Sequence, residues 1–307
     1  RGYLEVKSPS LVNAQVFEQS GHSDKYKENM LFVNEDENNY ALRPMSCPNH
    51  ILIYSSEHRS YKQLPLRLFE FGEVFRNEAS GALQLLFRQR QFCQDDSHIF
   101  VSDEKLIESI ENYLSMSQEV YKELGFEEIH YAISLRPVKR FGSEQLWDKA
   151  ENALKQACDK KGIQYEELPG EGAFYGPKIE LKVKDKLNRY WQLGTLQLDY
   201  VLPERFDLNY INSEGNKENP IILHHAVLGS LERMIGILLE SFGSQLPEFL
   251  HPYPAVVLPV SEKSLDYAQQ LSNKLNIEID SSAEPLGKKL DIWRKKGVPN
   301  IYVVGEQ

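Results

Sequence analysis

The sequence has no hydrophobic run approaching the roughly 18 residues needed to span a bilayer. It also lacks an opening signal in which a basic stretch precedes an apolar one. Only three cysteines occur in 307 residues and none forms a CxxC pair, which suits a reducing compartment better than a disulfide framework. We therefore expect a soluble, cytoplasmic protein with no membrane partner. An organellar form stays open, since the chain begins at Arg1 rather than at methionine.

The sequence also has no excess of positive charge. Lysine and arginine total 35 against 45 aspartates and glutamates, so the formal net charge is −10. This balance argues against binding nucleic acid through overall electrostatics, although a local basic surface stays open. There is no internal repeat, low-complexity tract or long block of like charge.

The length predicts a large domain followed by a smaller one, because 307 residues exceed the size at which one hydrophobic core usually stops growing. Strand and helix patterns alternate in a mixed α+β manner up to the proline-rich stretch "LPEFLHPYP". Beyond it, the alternation is typical of a small parallel α/β module. We expect domains over residues 1–250 and 251–307, and we expect that the C-terminal part of the second is missing because it is short.

Hydrophobic periodicity places the main elements of the larger domain. Apolar spacing predicts helices over residues 103–124 and 143–161, and the second of these would bury Cys158. "KIELKV" and "YWQLGTLQLDY" predict adjacent antiparallel strands. "IILHHAVLGSLERMIGILLESFG" predicts a strand that turns at Gly229 and Ser230 into a helix, whose first N–H groups would favour an anion.

Polar side chains occupy alternate positions of "RQRQFCQDDSHIF", residues 88–100. In an extended chain these positions share one face: Arg88, Arg90, Phe92, Gln94, Asp96 and His98. Arg76 and Glu78 lie on one side of a preceding strand-like stretch, so two antiparallel strands joined around residues 80–86 are expected. A solvated edge strand is the alternative. Charge on a sheet face is costly unless a ligand satisfies it, and arginine suits phosphate, which favours a polyanionic ligand.

These segments resemble the signature motifs of a known class. "FRNEASGALQLLFRQRQFCQDDSHIF" is similar to the second motif of class II aminoacyl-tRNA synthetases, "LGSLERMIGIL" is similar to the third, and Pro9 sits where the first ends. "LRPMSCPNHILIY", "EGAFYGPKIE", "WQLGTLQLDY" and "LHHAVLGSLER" resemble threonyl-tRNA synthetases, in order, over essentially the whole chain. The resemblance implies an antiparallel class II sheet flanked by helices, an incomplete α/β anticodon-binding domain, and a homodimer built around the first motif.

The resemblance also implies an activity, threonine–tRNA ligation. L-threonine would react with ATP, in the presence of Mg²⁺, to give threonyl-adenylate, and the threonyl group would pass to the 3′-terminal adenosine of tRNA(Thr). Such chemistry depends on positioning and charge stabilisation rather than on a nucleophilic triad.

Matching of the motifs, residue by residue, implies the site. Arg76 would bind the α-phosphate and the attacking carboxylate, and Arg88 the distal phosphates. Glu78 would contact the adenine, which Phe92 and Arg233 would cover on its two faces. The remaining implied residues are Gln192, Thr195 and Ser230 for the nucleotide, Gln94, Asp96, Tyr175 and Gln197 for the threonine amine, and Lys178 at a nearby basic position. The implied catalytic residues are Arg76, Arg233 and Lys178.

One zinc ion per chain is implied as well, because Cys47, His98 and His224 fall where the family binds it. Three such ligands leave positions open for substrate, and the metal would bind the amine and hydroxyl of threonine, which valine cannot satisfy but serine can. From the residues alone these ligands are scattered, and a core cysteine with surface histidines is the alternative. His225 competes with His224, but neighbours in a strand face opposite ways, and the family pattern favours His224.

Several points stay open. Gln192 and Thr195 are three residues apart, so in a regular strand their side chains would lie on opposite faces. Both face the site only if a bulge lies near Gly194. Gln84 and Cys93 stand where relatives usually have histidine and threonine, which puts the tRNA-end contacts of Gln84 in doubt, and Arg90 has no assigned role.

The rival functions are a tRNA-binding or regulatory protein without aminoacylation and a synthetase for serine or proline. The ATP residues and the three metal ligands favour the threonine enzyme.

Overall fold

The computed structural model describes residues 1–21, 27–35, 38–185 and 187–305. The chain divides into two compact units, one of Arg1–Lys122 with Phe126–Gly236 and the other of Glu123–Gly125 with Ile237–Gln307. Among the described residues, no helix combines the length and the apolar character needed to cross a membrane.

Strands dominate the first unit. In chain order they are β1 Leu4–Glu5, β2 Leu11–Asn13, β3 Leu31–Glu35, β4 Asn38–Leu42, β5 Leu66–Phe75, β6 Gln91–Val101, β7 Ile129–Ser134, β8 Tyr165–Leu168, β9 Lys178–Lys184, β10 Tyr190–Asp199, β11 Tyr210–Ile211, β12 Lys217–Glu218 and β13 Ile221–Ala226. Eight of them form one sheet in the order β1-β5-β6-β13-β10-β9-β7-β8. Every pairing is antiparallel except the two outermost, β1 with β5 and β7 with β8, as the predicted fold class requires.

The helices in chain order are α1 Gln15–Gln19, α2 Cys47–Ser55, α3 Leu106–Glu123, α4 Glu144–Lys160, α5 Val201–Arg205, α6 Leu231–Phe242, α7 Leu265–Leu275 and α8 Leu286–Lys295. Both long helices expected from periodicity are confirmed. Helix α4 begins where the Ser143 side chain accepts the Leu146 N–H and ends before Gly162, whose φ is +65°. Cys158 is fully buried on its inner side, as predicted.

The large sheet is covered on both faces. On one face, Ile51 and Tyr54 of α2 pack with Leu68 of β5, Phe100 of β6 and Leu202 of α5. On the other, the hydroxyls of Tyr113 and Tyr121 in α3 donate to the carbonyls of Ala226 and Val227. Since burying each large apolar side chain contributes roughly 2 kcal/mol, these two layers fix the sheet between them.

Strand β6 confirms the prediction that its even-numbered side chains share one face. It pairs with β5 without a register shift from Phe75↔Gln91 to Leu66↔Phe100, so Phe92 and His98 share a face, with Gln94 and Asp96 between them.

The prediction that Arg88 and Arg90 continue this face of the strand is wrong, because both residues precede β6. Arg76 and Glu78 likewise follow the end of β5. Beyond the paired strands β5 and β6 there is one more backbone hydrogen bond, from the Arg76 N–H to the Arg90 carbonyl. The loop that follows contains a 3₁₀ turn at Ser80–Ala82.

The predicted bulge in β10 is confirmed. Strands β9 and β10 are antiparallel, and their register shifts between Gln192 and Thr195. Thr195 lies opposite Glu180 and Gln192 opposite Lys182, and these partners are two residues apart on β9, so both β10 side chains lie on one face. A Cβ on Gly194 would lie 2.6 Å from the Tyr121 hydroxyl oxygen, which explains why glycine occupies the bulge.

The second unit is the small α/β module that the sequence predicts. Its strands β14 Ala255–Pro259, β15 Glu278–Ile279 and β16 Asn300–Val304 are parallel and ordered β15-β14-β16. Alternate residues of β14 face opposite cores. Val256 and Leu258 pack with Trp293 of α8, whereas Val257 packs with Ala268 of α7.

Asp185 stabilises the turn between β9 and β10. Its carboxylate accepts the backbone N–H groups of Leu187 and Arg189 at 2.8 and 2.9 Å, the Arg189 guanidinium at 2.7 Å and the Trp191 indole N–H at 2.8 Å. Burial alone would raise the pKa of Asp185, but these hydrogen bonds lower it to about 2.

We predict that Asp185→Asn lowers the free energy of unfolding by roughly 2 kcal/mol at pH 7, since charge-assisted hydrogen bonds are lost. Because the native pKa lies below that of the unfolded chain, this contribution is complete above about pH 4 and disappears as the pH falls toward 2. Urea unfolding followed by circular dichroism should show the difference from wild type shrink between pH 7 and pH 3. Asp103→Asn, at a carboxylate whose side chain is 61% exposed, is the control. A difference independent of pH would contradict the assignment.

Candidate active site

A cavity of about 360 Å³ opens on the sheet face that carries the even-numbered residues of β6. It brings together residues that lie far apart in the chain. The predicted site residues in its lining are Cys47, Arg76, Gln94, Asp96, Tyr175, Lys178, Thr195, Gln197 and His224. The other predicted residues lie outside this lining: Glu78, Arg88, Phe92, His98, Gln192, Ser230 and Arg233.

Three potential metal ligands lie together beside the cavity, and two of them, Cys47 and His224, line it. Cys47, His98 and His224 are buried, and one ligand atom of each lies within 4.8 Å of the other two. Cys47 is the first residue of α2, whereas the two histidines are directly paired across β6 and β13. The structure therefore brings together the three residues that the family pattern implies.

His225 lies on the other side of β13, as strand geometry predicts. Its Nε2 is 2.8 Å from the Tyr3 hydroxyl, and its ring packs against Tyr113 of α3 with centroids 5.0 Å apart. Burial lowers the pKa of His225 to about 3, so this ring is neutral. It is absent from the described cluster of metal ligands, which contains His224.

Asp199 orients His224, and sequence reasoning missed it. The His224 Nε2 lies 2.9 Å from the Asp199 carboxylate, and its Nδ1 lies 3.3 Å from the Cys47 sulfur. A carboxylate beside one nitrogen of a histidine fixes the other nitrogen as the unprotonated one. Asp199 lies two residues after Gln197 on β10, and this spacing places both on one face, a signal the sequence did contain.

The donor set fits a zinc ion. Burial, followed by the charges of Asp96 and Asp199, raises the pKa of Cys47 well above its ordinary value. A bound divalent cation stabilises such a thiolate outright. One sulfur and two imidazole nitrogens match the ligands zinc prefers, and three protein ligands are typical of a reactive rather than a structural site.

Polar groups for a small amino acid surround the metal cluster. The Tyr175 hydroxyl donates to the Gln197 amide oxygen at 3.0 Å, and Gln197 lies directly opposite His224 in the sheet. Asp96 accepts the Ser46 N–H at 3.1 Å. Lys178 contacts Glu180 at 2.8 Å, so its charge is already paired.

Close backbone approach around Tyr175 is confirmed at its flanking glycines. A Cβ on Gly176 would lie 1.8 Å from the Leu198 carbonyl oxygen, and one on Gly172 would lie 2.6 Å from that of Leu135. Side chains at either position would displace the segment that presents Tyr175.

Three arginines converge beside the cavity. The Arg76 guanidinium lies over the Phe92 ring, 5.1 Å from its centroid, and Arg88 pairs with Glu78 at 3.1 Å. Burial, and then the charges of Arg76 and Arg88, lower the pKa of Arg233. This mutual repulsion between cations favours a polyanionic ligand.

Arg90, which had no predicted role, organises the loop that follows β5. Its Nε donates to the Glu78 carbonyl at 2.9 Å and its Nη2 to the Ser80 hydroxyl at 3.1 Å. The backbone of Gln84 bridges to Arg88 in the same loop. Arg90 therefore stabilises the loop rather than facing the cavity with Gln94.

Two acidic residues that sequence reasoning missed connect β6 to the start of α6. The buried Asp95 carboxylate accepts the N–H groups of residues 227–229 at 2.7 to 2.8 Å, and burial raises its pKa to about 7 despite these bonds. Glu232 accepts the Cys93 N–H at 3.0 Å and the Ser230 hydroxyl at 2.9 Å. Glu232 thereby connects Ser230 to Cys93 of β6, and the Ser230 hydroxyl also accepts the Arg233 N–H at 3.2 Å.

Comparison with known proteins identifies the same organisation. Residues 27–242 match the family model for the tRNA synthetase class II core domain (G, H, P, S and T). Residues 254–307 match the model for an anticodon binding domain. The fold and the site thus define a class II aminoacyl-tRNA synthetase core, as the motifs predicted.

The relatives with more than 40% sequence identity over this chain are threonine–tRNA ligases. The threonine–tRNA ligase of Campylobacter curvus is 46% identical over all of this chain and 51% of its own length, and that of Marinobacter nauticus is 44% identical over all of this chain and 48% of its length. A crystal structure of the RNA binding domain of threonyl-tRNA synthetase from Cryptosporidium parvum superimposes with a TM-score of 0.95 at 40% identity, covering 99% of this chain and 77% of that one. The chain belongs to the threonyl-tRNA synthetase family. It spans about half the length of the two ligases.

Proposed function

We propose that this chain carries the catalytic centre of a threonine–tRNA ligase, with ATP, L-threonine and tRNA(Thr) as its substrates. The observation that carries the proposal is one cavity lined by Arg76 together with Cys47 and His224, two members of the cluster that His98 completes. The cluster suits recognition of an amine and a hydroxyl on one small molecule, and the arginine suits a phosphate beside it.

The first step is formation of threonyl-adenylate. A threonine carboxylate oxygen attacks the α-phosphorus of ATP, the bond to the bridging oxygen breaks, and pyrophosphate leaves with its electron pair. Arg76 would bind the carboxylate and the α-phosphate together, which brings the reacting atoms into contact and stabilises the charge that develops on phosphorus.

The other nucleotide contacts follow from the position of the second and third motifs. Arg88 would bind the distal phosphates together with Mg²⁺, and Phe92 and Arg233 would cover the two faces of adenine. Glu78, Gln192, Thr195 and Ser230 would complete the nucleotide site. The Arg76 guanidinium lies 5.1 Å from the centroid of the Phe92 ring, which places the proposed α-phosphate ligand beside the proposed adenine platform.

Threonine would be selected by the metal cluster. When bound by Cys47, His98 and His224, zinc would supply a Lewis acid with open positions for the amine and the side-chain hydroxyl. Gln94, Asp96, Tyr175 and Gln197 would orient the ammonium group, and Lys178 would add a positive charge nearby. Valine lacks the hydroxyl, so it would leave polar groups unsatisfied.

Transfer to tRNA completes the reaction. The 3′-terminal hydroxyl of tRNA(Thr) attacks the carbonyl carbon of the adenylate, and AMP leaves. The match of residues 254–307 to an anticodon binding domain supports tRNA as the acceptor. Negative net charge does not oppose this, because Arg76, Arg88 and Arg233 form a local basic surface.

A homodimer built around the first motif is also proposed. Pro9, Leu11, Val12, Val16, Leu52 and Ile53 line an apolar depression of about 570 Å³. The side chains of Leu11 and Leu52 are 47% and 46% exposed. Exposed apolar surface of this extent is typical of a protein interface.

The catalytic proposal predicts pyrophosphate exchange into ATP that depends on threonine. The protein with zinc bound should exchange label rapidly with threonine, more slowly with serine, and at least about 100-fold more slowly with valine, since the site binds a hydroxyl. Exchange in the presence of serine or proline but not threonine would assign another specificity. Binding of tRNA(Thr) without any exchange would instead support a non-catalytic protein.

The metal assignment predicts that Cys47→Ala reduces bound zinc and threonine-dependent exchange together, because a ligand and its charge are removed. Zinc content is measured by mass spectrometry, and retention of the fold by circular dichroism. Cys93→Ala is the matched control, because its side chain lies outside the cluster of ligands. Full zinc content in the Cys47 variant would refute the assignment.

The dimer proposal predicts a sedimenting mass near twice the 35.5 kDa of one chain. Leu11→Glu combined with Leu52→Glu should shift the protein to the monomer, since two charges would be buried at the interface. Leu85→Glu, at a side chain that is 88% exposed on the loop after β5, should leave the mass unchanged. A wild-type monomer at micromolar concentrations would be the contrary result.

A further inference from the structure

A third buried histidine lies behind the metal cluster. His50 is fully buried on α2, three residues after Cys47, so one turn of helix presents both toward the same region. Its Nδ1 lies 2.7 Å from the Nδ1 of His98, and the two rings meet edge to face with centroids 4.7 Å apart. His50 thus contacts a ligand without belonging to the described ligand set.

The other nitrogen of His50 contacts a buried carboxylate. Nε2 lies 3.1 Å from Oε1 of Glu70. Glu70 accepts the Arg43 guanidinium at 2.8 Å, and the Ser8 hydroxyl and N–H at 2.7 and 3.1 Å. Burial alone would raise the pKa of Glu70, but these bonds and the charge of Arg43 lower it to about 2. Glu70 is therefore ionised and only accepts hydrogen bonds.

The proton positions follow from the balance of donors and acceptors. Because Glu70 only accepts, the Nε2 of His50 carries a hydrogen, and its Nδ1 is left to accept from the Nδ1 of His98, 2.7 Å away. The hydrogen between the two rings then belongs to Nδ1 of His98. The Nε2 of His98 is left with a lone pair, and this buried atom has no hydrogen-bond partner among the described residues.

We propose that His50, oriented by Glu70, is a positioning residue that holds His98 in the tautomer whose Nε2 faces Cys47 and His224. The inference deepens the proposed function and rests on it only for the identity of the metal. His50 would touch neither threonine nor ATP. Its effect is to prepare a ligand nitrogen before the ion arrives, which lowers the cost of ordering the site.

The arrangement around the second histidine supports this assignment. His224 donates from Nε2 to the Asp199 carboxylate, so Nδ1 is its free nitrogen beside the Cys47 sulfur. Each histidine therefore has a buried carboxylate behind it, Asp199 in direct contact and Glu70 one ring further away. The relay through His50 also ties a ligand on β6 to Ser8, in the segment between β1 and β2.

Nitrogen NMR of the metal-free protein tests the tautomer without reference to activity. With ¹⁵N-labelled histidine, the long-range ¹H–¹⁵N spectrum should show His98 as the Nδ1–H form in the wild type. In His50→Ala, the acceptor 2.7 Å from Nδ1 is lost and the Asp96 carboxylate lies 3.9 Å away, beyond hydrogen-bond distance, so the same resonances should change to the Nε2–H form or to a mixture. A wild-type His98 in the Nε2–H form would overturn the proposal, and this result does not depend on any variant folding.

Zinc affinity, measured by competition with a chelator, gives the second readout. His50→Ala should bind zinc about 10- to 100-fold more weakly, as expected when a group that orients a metal ligand is removed. His50→Asn, which retains an acceptor near the position of Nδ1, should recover part of this loss, whereas His50→Gln should not. His130→Ala, at a ring that is 43% exposed, is the matched control.

The outcomes separate the two proposals. If His50→Ala changes neither the zinc affinity nor the tautomer of His98, the role of His50 is overturned and the ligase proposal is left intact. A wild-type protein that shows the Nδ1–H tautomer but does not bind zinc would support the positioning role, while removing the metal from the proposed function.

Discussion

The structure of the site depends on the cost of burying nitrogen and sulfur ligands in the middle of a sheet. An unpaired buried polar group costs on the order of 1–3 kcal/mol, and Cys47, His98 and His224 are all buried. The protein meets this cost with carboxylates placed behind the rings, at 2.9 Å for Asp199 and through His50 for Glu70. These acids leave the inward nitrogens without hydrogen, so the same contacts that stabilise the fold prepare the ligands.

This constraint also explains why an acidic protein can carry a phosphate site. The negative net charge of −10 is a property of the whole chain, whereas Arg76 and Arg88 lie close enough to Arg233 that their charges, together with its burial, lower its pKa. Local charge, not net charge, decides which ligand a cavity accepts. The site is chemically composite, because soft sulfur and nitrogen ligands and the cationic side chain of Arg76 line the same cavity.

The sequence predicted those features that depend on strand parity. The shared face of Phe92 and His98, and the bulge at Gly194, both follow from the alternation of side chains, and both occur. The same argument gave a wrong prediction at Arg88 and Arg90, because the hydrogen bonds between the two strands end at the Arg76–Arg90 bond and the chain then turns. The metal site could not be predicted from spacing, since its ligands are 51 and 126 residues apart and only the fold, or a resemblance, brings them together. His50 did leave a local signal, three residues after Cys47 on a helix.

The junction between β13 and α6 shows why some functional residues escape such reasoning. The ladder between β6 and β13 ends at the pair of Ser97 and His225, because the chain must leave the sheet to begin the helix. Buried N–H groups at such a departure need new acceptors, and side-chain carboxylates supply them: Asp95 for residues 227–229 and Glu232 for Cys93. In the sequence, Asp95 is merely the odd-numbered neighbour of Asp96, on the face away from the cavity. Its importance arises only because a strand ends beside it, which is a property of the tertiary structure and not of any local pattern.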